Sequence, residues 1–114
     1  MVKSNNQPVC QIDISGTKRY YLNSQLHRED GPAVEHANGN KSWLLHGQYH
    51  REDGPAIEYA NGEKLWFYHG QRHRLDGPAI EWSNGDTEWW YHGKWIDCDS
   101  QKEFERLIKL RALW

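Results

Sequence analysis

The stretch "HREDGPA" begins at His27 and again at His50, and a near copy, "HRLDGPA", begins at His73. Each sets an imidazole, a guanidinium and one or two carboxylates within four residues, the groups that serve acid–base catalysis or ligate a metal. An active site needs one asymmetric constellation and gains nothing from three copies in a row. These copies recur at a constant interval of 23 residues. A residue type that returns with a period points to a folding problem that returns with it.

The rest of the chain keeps the same interval. "NGNKSWLLHGQYHREDGPAIEYA" (38 to 60) overlays "NGEKLWFYHGQRHRLDGPAIEWS" (61 to 83) and the partial copy "NGDTEWWYHGKW" (84 to 95), and "SGTKRYYLNSQLHREDGPAVEHA" (15 to 37) fits upstream. Asn38-Gly39, Asn61-Gly62 and Asn84-Gly85 are strong signals for two-residue type I′ hairpin turns, because Asn and Gly tolerate positive φ. A two-residue loop places Val34 across from Trp43, His36 across from Lys41, Ile57 across from Trp66 and Ile80 across from Trp89. A β-branched side chain facing an indole is worth about 0.2–1 kcal/mol over an alanine pair.

Strand alternation then divides two faces. The expected core face carries Val34, Trp43, Leu45, Ile57, Tyr59, Trp66, Tyr68, Ile80, Trp82, Trp89 and Tyr91. The other carries Glu35, Glu58 and Glu81 with Leu44, Phe67 and Trp90, a mixture that predicts partial exposure. With Tyr49 and Arg72, those three apolar residues form the candidate binding surface. A second turn is expected at His46-Gly47, His69-Gly70 and His92-Gly93, where Gly supplies an unusual φ. Asp-Gly-Pro is a third turn, in which Asp accepts from backbone amides, Gly permits the bend and Pro sets φ.

The period, the aromatic hairpin and the "NG…W…HG…H…DGPA" frame resemble MORN-type repeats, and especially the MORN-like "HREDGPA" repeat proteins of phages, giant viruses and bacteria. The likeness covers about 80 of 114 residues, and it departs from the standard MORN pattern where "HREDGPA" replaces a short Gly-rich linker. It implies an elongated, single-layer antiparallel sheet of stacked hairpins used for binding proteins or lipids. In such a sheet a two-stranded unit advances by roughly 10 Å, too far for His27, His50 and His73 to share one zinc ion. The structural expectation is that each His and Arg hydrogen-bonds or stacks on a Trp or Tyr of the adjoining copy, while each Asp organises its turn.

Bulk properties narrow the rest. At 114 residues the chain is one domain, and a mean hydropathy of -1.02 is balanced by seven Trp and six Tyr, so the core is aromatic. A formal charge of -2 with mixed signs offers no basic field for general nucleic-acid binding. The chain lacks an apolar run of membrane length, the basic cluster that anionic headgroups need and a signal peptide, which predicts a cytoplasmic protein without a membrane role. Cys10 and Cys98 have no neighbouring Cys at metal-ligand spacing and read as reduced, idle thiols.

The expected organisation is an N-terminal tail and edge strand over 1–14, three and a half repeats over 15–96, and a helix over 97–114. Asn5, Asn6 and Pro8 suit a loose tail, while Val9, Ile12 and Ile14 suit an edge strand that invites self-association into a homodimer. Ser100 and Glu103 have capping-box spacing, and Phe104, Leu107, Ile108 and Trp114 recur with helical period, as in a cap over the end of the array. The fold class is therefore mainly β, a single-layer antiparallel sheet of stacked hairpins with a C-terminal capping helix. The functional expectation is a macromolecule-binding repeat protein with a protein partner, no cofactor, no metal and no catalysis. The resemblance, the chain's length and its acidic balance narrow this to a phage or mobile-element inhibitor of a host defence protein of the anti-CRISPR type. The alternative is a carbohydrate- or nucleotide-binding protein or small enzyme that uses exposed aromatic rings with His and acidic groups.

Overall fold

The computed structural model describes residues 7–111. Among them, fourteen short strands precede one helix. β1 (Val9–Ile12) pairs with β2 (Lys18–Leu22), and the first copy adds β3 (Gln25–Leu26) and β4 (Val34–Glu35). The second copy supplies β5 (Lys41–Ser42), β6 (Leu44–Leu45), β7 (Gln48–Tyr49) and β8 (Ile57–Glu58). The third repeats this as β9 (Lys64–Leu65), β10 (Phe67–Tyr68), β11 (Gln71–Arg72) and β12 (Ile80–Glu81). The half copy gives β13 (Thr87–Tyr91) and β14 (Lys94–Ile96), followed by α1 (Gln101–Arg111).

Two adjoining ladders arise from this order. The larger runs β1-β2-β4-β5-β8-β9-β12-β13-β14, with β3 alongside β2 and every pair antiparallel. The hairpins β6–β7 and β10–β11 form a second row beside it. Backbone bonds link that row from copy to copy: Gly47 N–H donates to Leu26 O, Gly70 to Tyr49 O and Gly93 to Arg72 O, each at 2.8 Å. Trp43 joins the ladders, donating its N–H to Ala56 O at 2.7 Å and accepting from His50 N–H at 3.1 Å. The molecule measures 55 × 34 × 17 Å, and its thin dimension admits one sheet with side chains on both faces. It is the expected single layer of stacked antiparallel hairpins ending in a helix.

The register differs from expectation by one residue. Val34 lies across from Ser42, Glu35 from Lys41, Ile57 from Leu65 and Ile80 from Glu88. The reason is the turn: His36 N–H bonds Asn40 O and Gly39 N–H bonds His36 O, which makes a three-residue loop of 37–39. Gly39 alone takes positive φ there, at 98°, and Asn38 instead accepts the Asn40 N–H on its side-chain oxygen. This is the three-residue loop with a glycine bulge, and it recurs at 60–62 and 83–85. A slip of one residue exchanges the faces of a strand. Leu65 therefore joins Ile57 on the core face, and Trp43 and Trp66 turn to the opposite side.

The core consequently mixes the two expected faces. Ala33, Val34 and Leu44 form one buried cluster, and Ile57, Leu65 and Ile80 form a second, against which Phe67 and Trp90 pack. Leu44 is 5 % exposed, which corrects its place on a half-exposed surface. Tyr59, Tyr68 and Trp82, expected in the core, are exposed. At the C-terminal end Trp89, Ile96 and the fully buried Phe104 make a third cluster, with Leu107 and Ile108 at its margin. Ser100 caps α1 by accepting the Glu103 N–H at 3.2 Å. The Glu103 carboxylate pairs with Arg106 and does not complete a reciprocal capping box. Trp114, Asn5 and Asn6 lie outside the described residues. The N-terminal end has no such cover among them, since Val9 and Ile12 of β1 stay exposed and Ile14 sits in the turn that follows.

Candidate binding groove

The three recurring histidines act as joints between copies. Nδ1 of His27, His50 and His73 accepts the backbone N–H of His46, His69 and His92 respectively, each at 2.9 Å. A ring nitrogen that accepts carries no proton, so this bond sets the neutral Nε2–H tautomer. The donors sit in the His-Gly turns, where His46, His69 and His92 have φ of 48°, 48° and 47° and the glycines also lie in the left-handed region. The two-residue type I′ turn is therefore found here, at His-Gly and not at Asn-Gly. A non-glycine residue with positive φ carries a cost of roughly 1–2 kcal/mol, and the imidazole of the preceding copy holds it in place. The rings also pack in pairs at 4.2–4.3 Å between centroids, stacked for His73 and His92 and tilted in the two earlier pairs. Burial, followed by the neighbouring imidazole, holds His27, His50 and His73 below the usual imidazole range.

Arginine performs a different task, within its own copy. The guanidinium carbons of Arg28, Arg51 and Arg74 lie 4.0, 3.8 and 3.9 Å from the ring centroids of Tyr20, Trp43 and Trp66. Nε then donates to Asp30, Asp53 and Asp76, and Nη1 to the carbonyls of Pro32, Pro55 and Pro78. Nη1 of Arg51 and Arg74 also reaches Glu58 and Glu81, at 3.1 and 3.0 Å. The expectation that Arg stacks on the adjoining copy is thus corrected, and Arg rather than Asp organises the loop. Hydrogen bonding from Arg74 holds the Asp76 carboxyl below its usual range. The glycine in this motif serves space and not φ: a Cβ on Gly77 would stand 2.6 Å from the Arg74 guanidinium carbon. In the half copy, where no arginine follows, Gln101 of α1 accepts from Trp89 Nε1 and donates to Leu75 O, both at 2.8 Å.

Between the second and third of these loops lies a groove of about 800 Å³. Its walls come from Arg51–Pro55 and Arg74–Asp76, and its floor from Trp66, Tyr68, His73 and Tyr91. Tyr68 and Tyr91 both lie near His73, their ring centroids 6.2 and 5.3 Å from its own. Three of the positions at which the copies differ line this groove. The positions of Tyr68 and Tyr91 are held by Leu22 and Leu45 in the earlier copies, and that of Leu75 by Glu29 and Glu52. Leu75 is 54 % exposed and Tyr68 39 %. Treating the copies as identical concealed this groove, and a position-by-position comparison of them would have exposed it.

The surface chosen from sequence lies on the opposite face. Tyr49 packs on Phe67 at 5.2 Å, and the Arg72 guanidinium sits 5.9 Å from the Phe67 ring and 4.9 Å from that of Trp90. The fold thus brings Tyr49, Phe67, Arg72 and Trp90 into one stripe. Phe67 and Trp90 are half-buried against the Ile57 cluster, however, and Leu44 is buried among other core residues. Arg72 makes no ion pair among the described residues, and its buried Nε has no acceptor.

Among the described residues no cluster of three or more His, Cys, Asp and Glu side chains is arranged to hold a metal ion, and Cys10 and Cys98 are free thiols. No helix among them is long and apolar enough to cross a membrane. Comparison with protein-family models, with curated proteins and with solved structures finds no match.

Proposed function

We propose that the chain is a non-catalytic binding module that engages another protein through the groove between its second and third loops. The observation that carries this reading is a concave groove lined at three positions where the copies differ. Aromatic and aliphatic side chains enter there, at Tyr68, Tyr91 and Leu75, where a purely structural repeat would keep Leu and Glu. The motif's His, Arg and Asp side chains are meanwhile occupied in holding turns and loops, which favours joinery over chemistry for them. Binding sites are concave and largely apolar with a few placed polar groups, and the groove has that character.

The test is a double variant, Tyr68→Leu with Tyr91→Leu, which installs residues the earlier copies already hold. Wild-type protein used as bait in a bacterial lysate should retain a prey that the variant, still folded at the assay temperature, loses. Equal recovery by both, or none by either, would overturn the reading. The narrower proposal, that the prey is a host defence protein, draws on the repeats' resemblance to phage proteins.

One observation favours a small-ligand reading as the alternative. A cavity of about 800 Å³ falls within the range of small-molecule sites. Thermal-shift screening against sugars and nucleotides, with the same variant as control, separates the two. The open edge of β1, with Val9 and Ile12 exposed, further supports a proposal of self-association through that strand. Light scattering at high protein concentration that finds monomer alone would refute it.

A further inference from the structure

We infer that the groove selects a cationic side chain, a lysine or arginine carried on an extended segment of the partner; this rests on the proposed use of the groove as a protein-binding site. The argument is one of charge complementarity added to aromatic walls. Arg51 and Arg74 are the only cations lining the groove, and both are spent: Arg51 on Asp53 and Glu58, Arg74 on Asp76 and Glu81, with an aromatic ring beneath each. Glu52, on the same wall, has no ion pair among the described residues. Of the groove's own lining, three carboxylates, Glu52, Asp53 and Asp76, meet two guanidinium groups, an excess of one that makes the field at the loop side negative.

His73 does not offset that field, because its Nδ1 accepts the His92 amide and its ring is held neutral. Lys94 and Arg111 border Tyr91 and His92 on the helix side, so a cation enters from the loop side. Inside, Tyr68 and Tyr91 line the groove, and an aromatic ring attracts an ammonium or guanidinium through its π quadrupole. Leu75 offers an aliphatic wall for the methylene stem of the same side chain. An acidic segment would meet Glu52 and Asp53 with like charge, and a neutral one would leave the Glu52 carboxylate without a partner.

The first loop provides an internal control. It carries the same carboxylates, Glu29 and Asp30, but Leu45 stands where the groove has a tyrosine. The probe is a short peptide of alternating glycine and lysine, acetylated and amidated, beside its glutamate and serine counterparts. Each is titrated into 15N-labelled protein and followed by backbone amide shifts. The lysine peptide should shift amides of the second and third loops saturably and leave the first loop still. Glu52→Gln should weaken it by about fivefold, and Tyr68→Leu with Tyr91→Leu should abolish the response. Equal shifts in all three loops would reduce the effect to general attraction to acidic turns and overturn the inference. Saturable groove shifts with the serine or glutamate peptide of equal strength would overturn the cation preference while leaving the groove as a protein site. Absence of groove shifts with every peptide, together with a prey in the lysate experiment that the tyrosine variant still retains, would remove both.

Discussion

Replacing His50 with alanine removes three things at once. The His69 amide loses the Nδ1 acceptor that holds it at 2.9 Å, and the His69 and Tyr68 rings lose a neighbour at 4.2 and 4.6 Å. An unsatisfied, partly buried amide costs about 1–2 kcal/mol, and each lost aromatic contact about 0.5–1.5 kcal/mol. Solvent reaches part of the vacated site, so a total of about 2–3 kcal/mol is expected. For 114 residues the entropy of unfolding near the midpoint is about 0.24 kcal/mol per degree, which converts this loss to a fall in Tm of roughly 10 °C. Urea unfolding followed by tryptophan fluorescence measures it, with His36→Ala as an exposed control expected within about 0.5 kcal/mol of wild type. His50→Asn separates the terms, because a side-chain carbonyl in the place of Nδ1 accepts the same amide. It should recover about 1 kcal/mol. A His50→Ala protein as stable as the control, or an Asn variant no better than Ala, would refute the reasoning.

Acid should loosen the fold in a window that carboxylates do not explain. The folded pKa values of His27, His50 and His73 lie below their ordinary value of 6.5, so the unfolded chain binds protons first as pH falls below it. Their contribution is complete above that pH and declines below it, by up to about 4 kcal/mol per pH unit for three sites together; a flat Tm between pH 6.5 and 5 would contradict it. Asp76 and Glu103, whose folded values are depressed, lose their contributions only at lower pH, so a second decline below about pH 4.5 should follow. Gly77→Ala should cost about 1–3 kcal/mol, because the new methyl forces Arg74 off Trp66; a neutral result in a thermal melt would show that the loop yields freely. Leu44→Ala should cost about 2–5 kcal/mol through an unfilled cavity beside Val34, where the exposed His36→Ala stays near wild type, and equal melting of the two variants would return Leu44 to the surface.

The interval, the strands flanking each turn and the terminal helix were legible in the sequence because each leaves a local mark: a repeated string, a glycine pair, a serine before an apolar period. Register was not. Asn38-Gly39 suits a two-residue loop in which both residues have positive φ, and equally a three-residue loop in which only glycine does and Asn caps the turn with its side chain. The choice depends on packing beyond the hairpin. Leu65 must oppose Ile57 for the second core cluster to close, and Trp66 must face away so that Arg74 can lie over it. One residue of slip therefore moved Leu44, Phe67 and Trp90 toward the core and Tyr68 toward solvent. The use of arginine was hidden for a similar reason, since Gly31, Gly54 and Gly77 resemble turn glycines and in fact clear space for a guanidinium. The groove was readable only as a difference between copies, at Tyr68, Leu75 and Tyr91.

The protonation of the imidazole nitrogens at neutral pH tests most directly whether the recurring histidines are structural joints. Long-range 1H–15N correlation should find Nδ1 of His27, His50 and His73 unprotonated, with coupling across the hydrogen bond from the amides of His46, His69 and His92. Protonated Nδ1 atoms, or three rings that titrate freely at the ordinary value of 6.5 with no such coupling, would contradict it and return these residues to the pool of groups available for chemistry.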